Sequence, residues 1–163
     1  MNDFEAVATA RVQDLADDLD LDTFAAAFNL FRVSTQFLQD LESVVHRPLG
    51  LSIAGFRVMF TVWVHDHLEP REIARLSGVT RAAVSGVLNT LDREGLVERT
   101  REQADRRLVT VRLTEDGVEL LREAYSKQNR REQQLFAELT NDELRQFSAT
   151  MSKLLRSKKS LRP

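Results

Sequence analysis

Apolar side chains recur every three or four residues over most of the chain, the spacing that places them on one face of an α-helix. Over residues 4–19 this pattern predicts a first amphipathic helix. A longer pattern over residues 24–45 predicts a second helix, which Pro48 and Gly50 end. Ser52 then has the character of an N-cap for a strongly apolar third helix. The N-terminal third of the chain is therefore predicted to be helical.

The centre of the chain carries two short helical patterns separated by a tight turn. Pro70 suits the first turn of one helix, and Ser77 and Gly78 end that helix. Thr80 then caps a second helix that extends to about Asp92. Two helices joined by a glycine-containing turn form the helix-turn-helix motif.

The second of these helices has a polar outer face opposite its apolar face. Arg81, Ser85 and Asn89 are spaced four residues apart on the outer face, with Thr80 and Ala82 beside them. Such a face fits the major groove of DNA, where Arg reads guanine, Asn reads adenine and Ser contacts either. These five residues are the predicted DNA contacts of the helix.

An ordinary amphipathic surface helix is the alternative for this segment. The small residues Ala82, Ala83, Ser85 and Gly86 weigh against that alternative, because small side chains let a helix approach a partner closely. Gly86 in particular costs about 1 kcal/mol of helix propensity.

Two strands and two further helices are predicted after Gly95, which ends the second helix. Within a predicted strand over residues 107–114, residues 109–113 alternate strictly between apolar and polar side chains, and residues 96–102 alternate more weakly. Thr114 and Thr140 are predicted N-caps of the two C-terminal helices. A helix-turn-helix followed by a two-stranded ribbon is a winged helix, so the chain is predicted to be mainly α with a small β-wing.

The predicted tip of the ribbon carries an acid and two arginines. Arg106 and Arg107 are predicted to reach a DNA minor groove or its phosphates, because narrow minor grooves concentrate negative potential. Asp105 is predicted to pair with one of the nearby arginines and to order the turn. The sequence leaves open which arginine it pairs with.

The charge distribution supports an anionic partner for the centre of the chain only. The formal net charge is −2. Residues 1–50 hold nine acidic and three basic side chains, whereas residues 71–112 hold nine arginines and six acidic side chains. A local basic patch can bind nucleic acid even when the protein as a whole is not basic. The alternative is a solvated face whose arginines have ordinary helical ion-pair partners.

The remaining composition excludes several classes of protein. The chain has 163 residues, 42% of them hydrophobic, which is enough for a folded core. It has no cysteine, so disulfides and thiolate metal sites are excluded. The acidic N-terminus lacks a signal-peptide core, and no apolar run could cross a bilayer. We therefore expect a cytoplasmic protein without a membrane partner.

Three stretches in this order and spacing resemble the MarR family of bacterial transcription regulators: "LSIAGFRVMFTV", "EIARLSGVTRAAVSGVLNTLDREGLVERT" and "DRRLVTVRLTEDG". The resemblance implies a homodimer that binds a pseudo-palindromic operator with half-sites about one helical turn apart. It divides the chain into an N-terminal extension (1–20), a dimerisation region of N- and C-terminal helices (21–50 and 114–163) and a DNA-binding lobe (51–113).

The resemblance also implies a small phenolic or anionic effector. Candidate ligand-binding residues are His46, Arg57, Trp63 and His65. The alternatives are core filling for Trp63 and a salt bridge for Arg57. The stretch His65–Glu69 ("HDHLE") has two histidines and two acids and is interpreted as a solvent-exposed loop rather than a metal site. No cofactor is expected.

The sequence therefore predicts a DNA-binding transcription regulator, a homodimeric repressor released by an effector. An activator, a ligand-independent DNA-binding factor and a winged-helix module for protein interaction are the alternatives. An enzyme is not expected, because no nucleophile and base pair, phosphate loop or metal set can be identified.

Overall fold

The computed structural model of the chain describes residues 3–15, 18–101 and 109–157. The helices in chain order are α1 (Asp3–Gln13), α2 (Leu21–Asp40), α3 (Ile53–His65), α4 (Pro70–Ser77), α5 (Arg81–Arg93), α6 (Glu115–Leu135) and α7 (Asn141–Arg156). Between α5 and α6, the strands β1 (Val97–Arg101) and β2 (Val109–Leu113) form an antiparallel ribbon. The predicted class, mainly α with a small β-wing, is confirmed.

The chain divides into two compact units, Met1–Ile53 and Ala54–Pro163. In the N-terminal unit, α1 packs on α2 through the rings of Phe4 and Phe28, whose centroids are 5.8 Å apart. The Arg32 guanidinium lies 5.4 Å from both ring centroids, a cation–π arrangement. The N-terminal extension is thus held to α2 by aromatic contacts.

The first helix is shorter than its apolar pattern predicts. The pattern continues to residue 19, but α1 ends at Gln13. Acidic side chains follow immediately, and a negative charge is unfavourable at a helix C-terminus. Asp20 instead begins the next helix, because its carboxylate accepts a hydrogen bond of 3.0 Å from the Thr23 amide.

The second helix ends where Pro48 and Gly50 predict. After α2 the chain continues as a π-helical segment, Leu41–His46, and a 3₁₀ turn, Arg47–Leu49. Gly50 then adopts φ +75°, the left-handed conformation that glycine favours. The buried side chains at this end of the helix all lie in the π-helical segment: Leu41, Val45 and His46.

The C-terminal unit has an apolar core to which α3, α4, α5, α6 and the ribbon all contribute. The ribbon pairs Val97 with Leu113 and Arg99 with Val111. The fully or almost fully buried apolar side chains are Phe56, Val58, Met59, Val62, Ile73, Val84, Leu88, Leu91, Val97, Val111, Leu121 and Ala124.

Part of the predicted "HDHLE" loop joins this sheet. His65 and His67 are exposed as expected, but Leu68 forms an antiparallel bridge with Val111. The Leu68 and Val111 amides each donate to the other's carbonyl, at 3.0 and 2.9 Å. A single bridging residue produces no alternation, so the sequence does not show it.

The two C-terminal helices begin at the predicted caps. The Thr114 hydroxyl accepts a hydrogen bond of 3.1 Å from the Gly117 amide. Thr140 and Glu143 form a reciprocal capping box at the start of α7. Within the described ranges, no helix is long and apolar enough to cross a membrane.

Candidate nucleic-acid interface

The α4–turn–α5 segment is the helix-turn-helix that the sequence predicts. Gly78 has φ +69°, which only glycine adopts without strain. The buried Ser77 hydroxyl accepts a hydrogen bond of 3.2 Å from the Val79 amide inside the turn. Thr80 then caps α5 by accepting a bond of 3.3 Å from the Ala83 amide. Local hydrogen bonds therefore define the angle at which the chain enters α5.

Gly78 also lies close to a side chain of α3. A Cβ atom at this position would lie 3.0 Å from Nη2 of Arg57, a residue of α3. The guanidinium of Arg57 thus packs over the turn between the two helices. Arg57, one of the candidate effector residues, therefore also contacts the helix-turn-helix.

The two faces of α5 are separated as the sequence predicts. Val84, Leu88 and Leu91 are buried. The opposite face is exposed, and it carries the predicted contact residues Thr80, Arg81, Ala82, Ser85 and Asn89. The outer face of α5 is therefore accessible to a partner, and most of its side chains are short.

Ion pairs separate the central arginines into two groups. Paired arginines are found at Arg71–Glu69, Arg75–Glu72, Arg99–Asp92 and Arg112–Glu98. Arg81 and Arg93, by contrast, have no ion-pair partner among the residues that the structure describes. The interpretation as a solvated face with ion-pair partners therefore holds for four of the arginines, and Arg81 and Arg93 are left as candidates for a basic patch.

The N-terminus of α5 is electropositive. Its first turn contains no acidic residue, and Arg81 stands at the first position. The helix dipole adds partial positive charge at the same end. By comparison, α4 carries Glu72 in its first turn, and a hydrogen bond from Arg75 lowers the pKa of that carboxyl below its ordinary value. Of these two helix N-termini, that of α5 is therefore the more favourable for an anionic partner.

Asn89 has a contact that sequence analysis missed. Nη2 of Arg99, in β1, donates a hydrogen bond of 2.6 Å to Oδ1 of Asn89. Nε of Arg99 lies 3.4 Å from Oδ2 of Asp92, one helical turn further along α5. This contact joins the first ribbon strand to the outer face of α5. It has no local sequence signature, because its residues lie on different elements.

The predicted tip contacts cannot be placed in this arrangement. Asp105, Arg106 and Arg107 lie outside the described residues. The register from Val97↔Leu113 to Arg101↔Val109 shows that the two strands run toward that tip.

A cavity of about 460 Å³ lies between α3 and α6. It is lined by Phe60, Trp63, Val118, Leu121, Arg122, Tyr125 and Ser126. The Phe60 ring is 6.0 Å from Trp63 and 5.9 Å from Tyr125, between centroids. The positively charged guanidinium of Arg122 also lines this aromatic cavity and forms an ion pair with Glu119. Of the predicted effector residues, this cavity includes Trp63.

The other predicted effector residues lie elsewhere. Arg57 and His65 line a shallower cavity of about 330 Å³ between α3 and α4, together with Thr61 and Ser77. His46 is fully buried in the N-terminal unit. Trp63 is about half exposed, so the alternative of core filling does not describe it. No group of three or more potential metal ligands is found in the described part of the chain.

The sequence matches a known family over its central part. The profile described as the MarR family matches residues 51–109, which include the helix-turn-helix and β1. YwaE of Bacillus subtilis, an uncharacterized HTH-type transcriptional regulator, is 31% identical over 138 residues. The aligned part makes up 85% of this chain and 81% of YwaE.

Two solved structures show the same fold. A cysteine-to-serine mutant of MarR from Escherichia coli, in complex with operator DNA, matches with a TM-score of 0.73 at 24% identity. That match covers 85% of this chain and 99% of the MarR chain. Bordetella bronchiseptica BpsR, whose DNA binding is regulated by 6-hydroxynicotinic acid, matches with a TM-score of 0.72 at 22% identity. Here the match covers 79% of this chain and 97% of BpsR.

Proposed function

We propose that this chain, which belongs to the MarR family of DNA-binding transcription regulators, is a homodimeric repressor released from its operator by an aromatic anion. The resemblance seen in the sequence motifs is confirmed, and members of the family are transcription regulators rather than enzymes. The specific residues, the oligomeric state and the effector are the proposed part.

The observation that carries the DNA contact is the exposed outer face of α5, which begins with Arg81, an arginine without an ion-pair partner among the described residues. We assign Arg81, Ser85 and Asn89 to base or phosphate contacts in the major groove. Thr80 caps the helix and presents its N-terminus to a phosphate, and Ala82 allows the close approach. Arg106 and Arg107 are assigned to the flanking minor groove, with Asp105 ordering one of them.

The proposal of a homodimer is supported by apolar side chains that are exposed to solvent in the single chain. On α2, Phe31 is 71% exposed, and Leu30, Val33 and Leu38 are also exposed. On α7, the exposed apolar residues are Leu144, Phe147, Leu154 and Leu155. Two copies that cover such faces would present two α5 helices to successive turns of a pseudo-palindromic operator.

The proposal of an effector rests on the cavity between α3 and α6. Its aromatic walls fit a planar ring, and Arg122 fits an anionic group on that ring. The ligand named for BpsR, 6-hydroxynicotinic acid, is a hydroxylated aromatic carboxylic acid of this kind. A ligand that binds the DNA-free arrangement more tightly would lower operator affinity, which is the behaviour of a releasable repressor.

The DNA assignment is tested by fluorescence anisotropy on DNA from upstream of the gene, over a series of salt concentrations. Arg81→Ala and the double variant Arg106→Ala/Arg107→Ala should weaken binding. Each lost phosphate contact should reduce the log–log salt slope by about 0.9. Arg145→Ala is the matched control, because Arg145 lies on α7 and pairs with Asp142.

The same assay distinguishes two of the three alternatives. A protein-interaction module would not bind duplex DNA even at low salt, and that outcome would overturn the proposal. A ligand-independent factor would bind DNA with an affinity that aromatic anions do not change. An activator would bind its site equally well, so a reporter gene under the bound promoter separates activation from repression.

The effector cavity has a direct optical reporter. Trp63 is the single tryptophan of the chain and lines the cavity, so its fluorescence should change when 6-hydroxynicotinate or salicylate binds. Arg122→Gln should weaken binding. Glu119→Gln should strengthen it about two- to fivefold, because an exposed ion pair that competes with the ligand is worth up to about 1 kcal/mol.

A matched variant distinguishes the α3–α6 cavity from the shallower cavity between α3 and α4. Arg57→Gln removes a cation from the shallower cavity and leaves Arg122 in place. If Arg57→Gln abolished ligand binding and Arg122→Gln did not, the assignment of the effector to the α3–α6 cavity would be wrong.

A further inference from the structure

The contact between Arg99 and Asn89 defines the orientation of an exposed carboxamide. Oδ1 of Asn89 accepts the 2.6 Å hydrogen bond from Nη2 of Arg99. A guanidinium has five N–H donors and no acceptor, so the amide nitrogen cannot take the place of that oxygen. Nδ2 of Asn89 therefore occupies the other branch of the carboxamide, on the exposed outer face of α5.

A second contact holds the arginine itself. Nε of Arg99 lies 3.4 Å from Oδ2 of Asp92, so the guanidinium connects two side chains that stand one turn apart on α5. The Arg99 side chain is only 34% exposed, less than its partner Asp92 at 48%. Its strand position is defined by the pairing of Arg99 with Val111, a fully buried residue of β2. The arginine is thus anchored at its backbone and at its guanidinium.

We propose that Arg99 is a positioning residue for sequence recognition, which orients Asn89 so that it offers hydrogen-bond donors to the major groove. The inference rests on the proposed role of Asn89 as a base contact. A free asparagine can turn its amide by half a rotation and offer either a donor or an acceptor. The hydrogen bond from Arg99 allows only the orientation in which Oδ1 faces the guanidinium and Nδ2 is free to donate.

The orientation has a consequence for the base that is preferred. The two-bond contact of asparagine with adenine requires Oδ1 to accept from N6 while Nδ2 donates to N7. Here one of the two lone pairs of Oδ1 already accepts a charge-assisted bond, and the positive guanidinium beside it disfavours the approach of the N6 amino group of adenine, which carries partial positive charge. Guanine offers two acceptors, N7 and O6, and no donor on this edge. The geometry therefore favours guanine at the contacted position and revises the adenine contact expected from the sequence.

The test begins with selection of binding sites from a random duplex library by the full-length wild-type protein. The contacted position is identified as the one at which the Asn89→Ala variant loses the base preference of the wild-type protein. Affinities are then measured on duplexes that carry each of the four bases at this position. Wild type should prefer guanine over adenine about tenfold, the effect of roughly 1.4 kcal/mol that one good base contact supplies. Asn89→Ala should reduce this preference to about twofold or less.

Arg99→Met is the decisive variant, because methionine keeps an unbranched chain without donors. It should reduce the guanine preference to about twofold or less, like Asn89→Ala. Arg99→Lys retains a donor that reaches for Oδ1 and should restore part of the preference. Arg112→Met is the matched control: it removes an arginine of the same ribbon that pairs with Glu98, and it should leave the preference intact.

The outcomes separate this inference from the proposed function. If Arg99→Met kept the guanine preference, or if wild type preferred adenine, the positioning role would be overturned. If Asn89→Ala changed no base preference while the protein still selected a site, Asn89 would not be a base contact and the inference would fall with it. If no specific site were selected at all, the proposed function itself would fail. Thermal unfolding of each variant distinguishes loss of specificity from loss of fold.

Discussion

At the scale of single residues, a missing side chain allows a close approach between two elements of the C-terminal unit. A Cβ atom at Gly117, in the first turn of α6, would lie 2.0 Å from the backbone carbonyl oxygen of Leu96. The same region is tied by the Thr114 hydroxyl, which donates a hydrogen bond of 2.6 Å to the Gly95 carbonyl. The start of α6 therefore contacts the backbone at the start of the ribbon.

Gly117→Ala should destabilise the fold, because a methyl group cannot coexist with a backbone atom at that distance and the backbone must move. We expect a loss of about 1–3 kcal/mol in the free energy of unfolding, the cost of overpacking a core, measured by urea denaturation. Gly86→Ala is the matched control. A Cβ at Gly86 meets nothing within 4 Å, so alanine should stabilise α5 by about 1 kcal/mol. Equal effects of the two substitutions would contradict this explanation.

At the scale of elements, the helix termini are defined by capping side chains. Thr80, Thr114 and Thr140 each accept a hydrogen bond from a backbone amide in the first turn of the helix that follows. At α7 the cap is reciprocal, because Oε2 of Glu143 accepts bonds from the Thr140 amide at 2.8 Å and hydroxyl at 2.7 Å. These bonds lower the pKa of the Glu143 carboxyl, chiefly through the side-chain bond from Thr140.

The capping box should make the stability of α7 depend on pH in the acidic range. A carboxyl whose pKa is lowered in the folded state stabilises the fold above its ordinary pKa of 4.5. That stabilisation is lost as the pH falls through the lowered value. Glu143→Gln should remove this part of the pH dependence, measured as the thermal midpoint between about pH 6 and pH 3.

Asp142→Asn provides the control for the capping box, since Asp142 is an exposed acid in the same turn that pairs with Arg145 instead. The Asn variant should keep the acid-dependent change that Glu143 contributes. If Glu143→Gln and wild type lost stability in parallel as the pH fell, the capping box would not be the source.

At the scale of the whole molecule, exposed apolar faces and the charge distribution are the properties to explain. The net charge of −2 conceals a central stretch in which Arg81 and Arg93 lack acidic partners among the described residues. The open apolar side chains of α2 and α7 are an unfavourable surface for a single chain in water. Both properties agree with a dimer that binds nucleic acid.

Phe31→Glu should convert the protein to a monomer, because a charge would be buried in the proposed interface without a partner. Sedimentation equilibrium measures the oligomeric state, and operator affinity should fall with it, since two α5 helices no longer bind together. Leu76→Glu introduces the same charge at an exposed apolar residue of α4 and should leave the oligomeric state unchanged. A Phe31→Glu variant that remained dimeric would show that α2 does not form the interface.

The sequence by itself determined most of the helices, the caps at Thr80, Thr114 and Thr140, and the helix-turn-helix. These features depend on side chains within about four residues of one another, as the caps at Thr80, Thr114 and Thr140 show. Periodicity also predicted which face of α5 is exposed. It overestimated α1, because the apolar pattern of residues 4–19 does not include the effect of the acids that follow Gln13.

Only the tertiary structure decided which distant residues meet. The Leu68–Val111 bridge and the contact between Gly117 and Leu96 join segments separated by many residues. The fold also shows that three candidate effector residues do not share one cavity: Trp63, Arg57 and His46. The hydrogen bond from Arg99 to Asn89 likewise appears only in the fold. The physical reason is that such contacts depend on how elements pack, and packing between elements leaves no periodic pattern in either of them.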